Sequence, residues 1–431
     1  MKTKSGRILL AGATSAIALA AAGSAHAQAF YLQEQSVRGQ GRAFSGEAAD
    51  TGVDSLWWNP ASIADLQGGE ASIRGSFIRP RGDVVDKGTV IVRPGQPAAS
   101  VGGNPVAKNP IDNGILPSGA IAYGFGKVAV GLALSAPYSF TTNYDSDSWA
   151  RYTADKTKLR TYDIQPSVAI AVTDWLRIGG AANIERVEAT LGNYLPNLSP
   201  LLADGHQTLK GKGWDVGWSA GLQIHEGPVT IGAAYKSSIK HKLDGTVTIE
   251  GLAGPLAAQN GTIDAKAEFS TPWQAIGSVR ARVSPKLTLN AQVVRAGWSK
   301  FDAIDIGDPL NVSIPENYRN TWTYAVGADY EVNPNWTVRA GVQRGFTPTQ
   351  DGERDARVPD SNRWNYSAGT SFGFGKFTID AAASYIDFKN DSIDRTTAAY
   401  AGTVVQTPIV VNGELQDASA LVFSLGARMA F

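Results

Sequence analysis

Residues able to make or break covalent bonds are few in this chain. There are 4 histidines: His26 lies in the N-terminal apolar region, and His206, His225 and His241 fall in or near expected loops and turns. None belongs to a Ser/His/acid set, a His-x-x-x-His pair or a cluster with metal-ligand spacing, so neither triad hydrolysis nor metal-assisted catalysis has its parts. With Cys at 0, a disulfide framework, a zinc-thiolate site and a thiol nucleophile are all excluded. Gly39-Gln40-Gly41 follows no strand and opens no helix, so it is no nucleotide loop. The reading is a protein that is not an enzyme and that needs no cofactor and no metal.

The charges suggest architecture instead. Lys+Arg 39 against Asp+Glu 39 leaves a net charge of +0, with no basic footprint for nucleic acid. Arg42, Glu47, Asp50 and Asp54 crowd into one Gly- and Ser-rich stretch, residues 28–68, that has no sustained period of 2 or 3.6. Buried together, they need partners such as Arg280, Arg282 or Arg339 further along the chain.

The elements that must hold such a stretch are legible. Lys2, Lys4 and Arg7, an apolar run from Ile8 to Ala22 and Ala25-His26-Ala27 spell a cleavable export signal over residues 1–27. No later window is apolar for long enough to span a bilayer as a helix, so a membrane form must be a barrel. From residue 69 to 431 the chain alternates: Val128, Val130, Leu132 and Leu134 share one strand face, Ala129, Gly131, Ala133 and Ser135 the other. Trp214, Val216, Trp218 and Ala220 repeat the pattern, and the chain ends on Leu421, Phe423, Leu425, Ala427, Met429 and Phe431. Tight turns such as Gly126-Lys127, Asn333-Pro334-Asn335 and Gly375-Lys376 alternate with long loops near 83–116, 143–159, 190–213, 250–269, 307–319, 349–361 and 391–417. About fourteen strands result, an all-β transmembrane antiparallel barrel with Trp and Tyr at strand ends and residues 28–68 as a hatch in its lumen. A soluble propeller would also space strands evenly, but it needs neither the export signal nor apolar outward faces.

Two further stretches stand out. Pro137, in Leu134-Ser135-Ala136-Pro137-Tyr138-Ser139-Phe140, has no N–H for a ladder that a closed barrel leaves nowhere unpaired, so a bulge or gap is predicted there. Tyr194, Leu195, Leu198, Leu201 and Leu202 form an apolar run in an expected outer loop, the composition of a binding patch or of a loop folded onto the barrel mouth.

Gly41-Arg42-Ala43-Phe44-Ser45-Gly46-Glu47 followed by Asn59-Pro60-Ala61 resembles the hatch of FadL-type outer-membrane transporters. Trp149-Ala150-Arg151-Tyr152, the run Asp163 to Ala169, Trp214 to Gly221, Trp298-Ser299-Lys300-Phe301, and Arg363-Trp364 with Ser367-Ala368-Gly369 extend the resemblance over nearly the whole mature chain. It implies a fourteen-stranded, hatch-plugged barrel in a Gram-negative outer membrane that takes up long-chain fatty acids or other hydrophobic compounds. It also implies a route: capture among outer loops (Tyr194, Leu195, Leu198, Leu201, Leu202), a pocket beside hatch residues Phe30, Leu32 and Phe44, and lateral exit at Ser135, Ala136, Pro137, Tyr138 and Phe140. A lumenal cation would meet a carboxylate, and Arg186 is the candidate. The implied partners are the hydrophobic ligand, outer-membrane lipids and lipopolysaccharide, and the barrel-assembly machinery reading Phe431; a lateral exit favours a monomer. Aromatic hydrocarbon or alkane uptake, a general porin, and a surface receptor or adhesin are the rival readings.

Overall fold

The computed structural model describes residues 29–431. The expected signal segment, with Gln28, lies outside the described residues.

Seventeen strands build the wall: β1 (Gly68–Asp86), β2 (Gly114–Phe125), β3 (Val128–Ser135), β4 (Ser139–Asn143), β5 (Lys156–Ala171), β6 (Leu176–Leu195), β7 (Gly205–Glu226), β8 (Val229–Lys236), β9 (Lys240–Glu250), β10 (Gly261–Ser270), β11 (Trp273–Arg282), β12 (Leu287–Gly297), β13 (Thr321–Asn333), β14 (Trp336–Gly345), β15 (Arg363–Phe374), β16 (Phe377–Phe388) and β17 (Gly413–Ala430). The pairs β3/β4, β8/β9 and β10/β11 are single spans broken midway, so the wall crosses fourteen times. Every neighbour is antiparallel, and β1 pairs with β17 from Glu70↔Ala430 onward, which closes the barrel. The last residue seals the join: Gly69 N donates to Phe431 O at 2.7 Å, and Phe431 N donates to Gly69 O at 2.8 Å.

The period-2 pattern sorts residues as expected. Val128, Val130 and Leu132 are exposed outside while Ala129 and Ala133 are buried inside. Phe77, Ile121, Trp214, Val216, Trp218, Trp322, Tyr324, Tyr366, Phe423 and Leu425 continue a belt of exposed apolar and aromatic side chains, a surface suited to hydrocarbon rather than water. Among the described residues, no helix is long and apolar enough to cross a membrane.

The loops are shorter than predicted. β6 runs to Leu195 and β7 starts at Gly205, so most of the stretch 190–213 is a paired hairpin. Alternation of apolar residues stops where the wall leaves the bilayer, whereas backbone pairing continues through Thr190, Lys210 and Lys212 above it.

Inside, residues 29–64 are buried except for Arg38 and Thr51. They fold as one short helix, α1 (Val37–Gln40), and 3-10 turns at Glu47–Ala49, Val53–Ser55 and Pro60–Ile63. Ser36 caps α1 by accepting from Gly39 N at 2.9 Å. Asn59 caps the last turn, accepting from Ala61 N at 2.9 Å, and its amide donates to Ala48 O at 2.6 Å and to Leu222 O of the wall at 3.1 Å. Pro60 follows at a helix start, where its missing N–H costs nothing. Gly41 and wall Gly369 meet backbone to backbone: a Cβ on Gly41 would come within 3.0 Å of the Gly369 Cα. Gly46 holds φ at 119°, closed to most side chains.

Charge fixes this hatch to the wall. Arg42 pairs with Glu47, with Asp50 at 2.7 Å and with wall Asp329 at 3.4 Å. Arg280 adds Asp50 and Asp329 at 3.5 and 3.4 Å, and Arg339 adds Asp329 at 2.5 Å. Asp54 is held by Arg74 at 3.2 Å and Arg428 at 3.0 Å. Arg282 takes no part; it pairs with Glu331 at 3.0 Å at the solvent-exposed turn end of the wall.

Candidate functional site

Pro137 interrupts the wall. β3 stops at Ser135 and β4 resumes at Ser139, leaving Ala136, Pro137 and Tyr138 outside the strand–strand ladder. The hatch N-terminus occupies the gap. Leu32 N donates to Pro137 O at 2.7 Å, Ser139 N donates to Phe30 O at 3.0 Å, and Tyr31 bridges Tyr138. Gln35 donates from its amide to Ala136 O at 3.3 Å. On the far side Thr161 exchanges hydrogen bonds with the Tyr138 backbone at 2.9 Å. Backbone groups that a proline would strand are thereby satisfied by a segment that is not part of the wall.

Against this patch lies a small apolar cavity of about 60 Å³. Phe30 closes one side. Its ring meets Trp298 edge-on at 5.0 Å and Phe301 at 5.1 Å, and stacks on Phe140 at 5.8 Å. Inward residues of neighbouring strands complete a greasy wall: Leu159, Leu191, Leu209, Leu243, Ala267 and Phe269. Four charged residues border this lining: Glu316 and Arg357 from outer loops, Lys158 from β5 and Lys210 from β7. Arg357 Nε donates to Thr153 O at 2.8 Å, and its guanidinium makes no ion pair among the described residues. Glu316 lies in the loop between residues 315 and 321; burial pushes its carboxyl up to about 7, against the pull of Arg395 and Arg357.

The lumen also holds a buried polar cluster. Lys236 Nζ sits 3.9 Å from the centre of the Trp57 ring and donates to Gln165 at 3.2 Å. Trp57 donates to Asp163 at 3.2 Å, and His241 is buried between Glu185 at 3.3 Å and Asp215 at 3.4 Å. His241, expected near a loop, is in β9 and faces the lumen.

Several predicted residues change place. Of Phe30, Leu32 and Phe44, Phe30 lines the cavity; Leu32 packs with Ile78, Leu116 and Ala136, and Phe44 meets Trp58 at a tilt, 5.8 Å between ring centres. Arg186 is not lumenal. Alternation that turns Glu185 and Val187 inward turns Arg186 outward, where it pairs with Glu188 at 2.9 Å and lies over Trp214 at 5.6 Å. The 194–202 run does not make one exposed surface. Leu195 is buried, Tyr194 and Leu198 pack against the loop core, and Leu201 (94% exposed) and Leu202 project outward. Sequence reasoning missed Arg357, Glu316 and Phe269 as lining residues. Trp298 and Phe301 belong to a run that carries the family resemblance, yet nothing in their spacing shows that they face Phe30.

Three comparisons bear on this arrangement. The family model described as outer membrane protein transport protein (OMPP1/FadL/TodX) matches residues 18–431. A long-chain fatty acid transport protein of Escherichia coli O6:H1 is 27% identical over 398 residues, 83% of this chain and 86% of that protein. The crystal structure of a Pseudomonas aeruginosa FadL homologue superposes with a TM-score of 0.82 at 25% identity, covering 94% of this chain and 100% of the other. The Ralstonia pickettii toluene transporter TbuX shares the fold, with a TM-score of 0.66 at 18% identity over 92% and 98% of the two chains.

Proposed function

Because the chain belongs to the OMPP1/FadL/TodX family of outer-membrane transport proteins, we propose that it moves long-chain fatty acids inward by diffusion between binding sites, with release sideways through the wall at Pro137. The observation that carries this is the contact between cavity and wall defect: Phe30 lines the pocket with its side chain while its carbonyl and the Leu32 N–H hold the broken strand. Displacing residues 30–32 would therefore enlarge the pocket and unseal the wall in one movement. Exposed Leu201 and Leu202 give an acyl chain a first apolar foothold at the outer surface. Arg357 supplies the pocket with a cation for the carboxylate, and charge-assisted pairing with a guanidinium is strong in such a setting.

Glu316 supports a second reading. It lines the same cavity as Arg357, and while ionised it offsets that charge and leaves a lining suited to a neutral hydrocarbon.

Uptake of labelled oleate by cells lacking their own transporter, expressing wild type, Arg357→Gln or a deletion of residues 135–139, decides between these. Fatty-acid cargo with lateral exit predicts uptake by wild type, weakened uptake in Arg357→Gln and none in a correctly inserted deletion. Well-inserted wild type that takes up toluene or an alkane but no oleate selects the hydrocarbon reading. A deletion that transports normally rejects the lateral exit.

A further inference from the structure

The outward face of three adjacent strands turns basic just above the aromatic belt. Tyr162 of β5, Arg186 of β6 and Trp214 of β7 form one cross-strand row, at the level where Trp and Tyr mark the edge of the hydrocarbon. The next row along the same face is Arg160, Glu188 and Lys212, and the one above it Lys158, Thr190 and Lys210, with Lys156 beyond. At ~3.3 Å per residue along strands tilted by ~40°, these rows stand roughly 5 and 10 Å above the aromatic row, in the headgroup layer on the loop side of the barrel. Strand spacing of ~4.8 Å keeps the patch about 10 Å wide.

The patch carries cations without internal counterions. Glu188 is committed to Arg186 at 2.9 Å. Lys158, Arg160, Lys210 and Lys212 make no ion pair among the described residues, and Arg160 Nε is a buried donor with no acceptor. Asp244 of neighbouring β9 stands opposite Lys212 but leans to Lys266, at 3.9 Å. Directly below, Trp214, Val216, Trp218 and Leu222 offer an exposed apolar wall. An amphiphile with phosphate groups over acyl chains matches both halves: phosphate bridging the two basic rows, chains lying along the belt.

We propose that this patch is a binding site for the phosphorylated glucosamine headgroup of the lipid A type of glycolipid, which the outer leaflet of such a membrane presents at this height. Arg160 and Lys212 stand apart from the cargo cavity, whereas Lys158 and Lys210 border it as well as the outer patch.

Purified protein in detergent, with chelator present, is titrated with diphosphorylated lipid A, the same lipid after dephosphorylation, and phosphatidylglycerol, with native mass spectrometry as the readout. Wild type should prefer the diphosphorylated lipid at least ten-fold over both others and lose it as salt rises. Lys158→Gln/Arg160→Gln/Lys210→Gln/Lys212→Gln should lose at least ten-fold affinity while retaining heat-modifiable mobility, and Arg160→Gln/Lys212→Gln, away from the cavity, should lose at least three-fold while retaining fatty-acid binding as well. Arg79→Gln/Arg81→Gln, which removes two outward cations on β1, should bind as wild type does. Equal binding by the four-fold variant, or equal binding of dephosphorylated lipid or phosphatidylglycerol, overturns the site. An unfolded four-fold variant transfers the test to the pairs Lys158→Gln/Arg160→Gln and Lys210→Gln/Lys212→Gln, each expected to lose at least three-fold.

Discussion

Leu32 donates its backbone N–H to the carbonyl of Pro137 at 2.7 Å, so a hatch residue completes a ladder that the wall's own sequence breaks. Leu32→Pro removes that donor and leaves a buried acceptor unpaired, at a local cost of about 1–3 kcal/mol. The barrel should still form, since the lost bond belongs to no wall pairing. The expected outcome is faster release of bound fatty acid, read by stopped-flow dilution, with little change in heat-modifiable mobility. Unchanged release kinetics would separate the hatch N-terminus from the exit.

Phe30 touches Phe140, Trp298 and Phe301 and lines the cavity. Phe30→Ala should weaken binding of a long-chain ligand at least ten-fold, about 1.4 kcal/mol. Titration followed by tryptophan fluorescence checks this, because Trp298 lies 5.0 Å from the Phe30 ring. Phe44→Leu, remote from the cavity lining, should leave that affinity within a factor of about two.

Glu316 gives binding a pH dependence. Burial lifts its carboxyl to about 7, so it is neutral below that pH and negative above. Above pH 7 its charge competes for Arg357 and repels an anionic headgroup. Dodecyl sulfonate, which stays anionic throughout, should bind more tightly as pH falls from 8 to 6, and Glu316→Gln should bind with a flat profile. The linked effect on folding has the same sign: a carboxyl whose folded value is raised favours the native state at low pH, so its contribution is lost as pH climbs from the ordinary carboxylate range to about 7. A wild-type affinity that rises with pH would contradict this.

Arg42 is the hub of the hatch, buried among Glu47, Asp50 and Asp329. Arg42→Gln leaves these carboxylates to Arg280, Arg38 and Arg339 alone, and loss of one partner of a buried pair costs about 3–5 kcal/mol. Lower thermal stability and proteolysis within residues 37–64 are expected, with the wall itself intact. Resistance equal to wild type would mean the remaining arginines suffice.

Much of this is legible in the amino-acid sequence. The fourteen crossings follow from alternation, since Val128, Val130 and Leu132 can lie outside only if Ala129 and Ala133 lie inside. Pro137 announced its break because a missing N–H is a local property. The pairing of Arg42, Asp50 and Asp54 followed from burying charge, although which arginines answer depended on register, and Arg282 fell beyond reach. Arg186 failed for the same reason: with Glu185 adjacent, a period of 2 must send one inward, and neither type of residue declares which. Arg357 and Glu316 were invisible because loops far apart in sequence bring them to one cavity. The 194–202 run misled because an apolar loop residue can equally pack against a neighbouring loop, as Leu195 does.

The stitched hatch has a consequence for the cell that makes this protein. Residues 29–64, almost entirely buried and pinned to the wall by Arg74, Arg280, Arg339 and Arg428, stand in the path that ions and sugars would take through the lumen. In a planar bilayer the reconstituted protein should conduct no more current than bare lipid. A bacterium could therefore raise its copy number to scavenge oily nutrients without becoming more permeable to hydrophilic antibiotics.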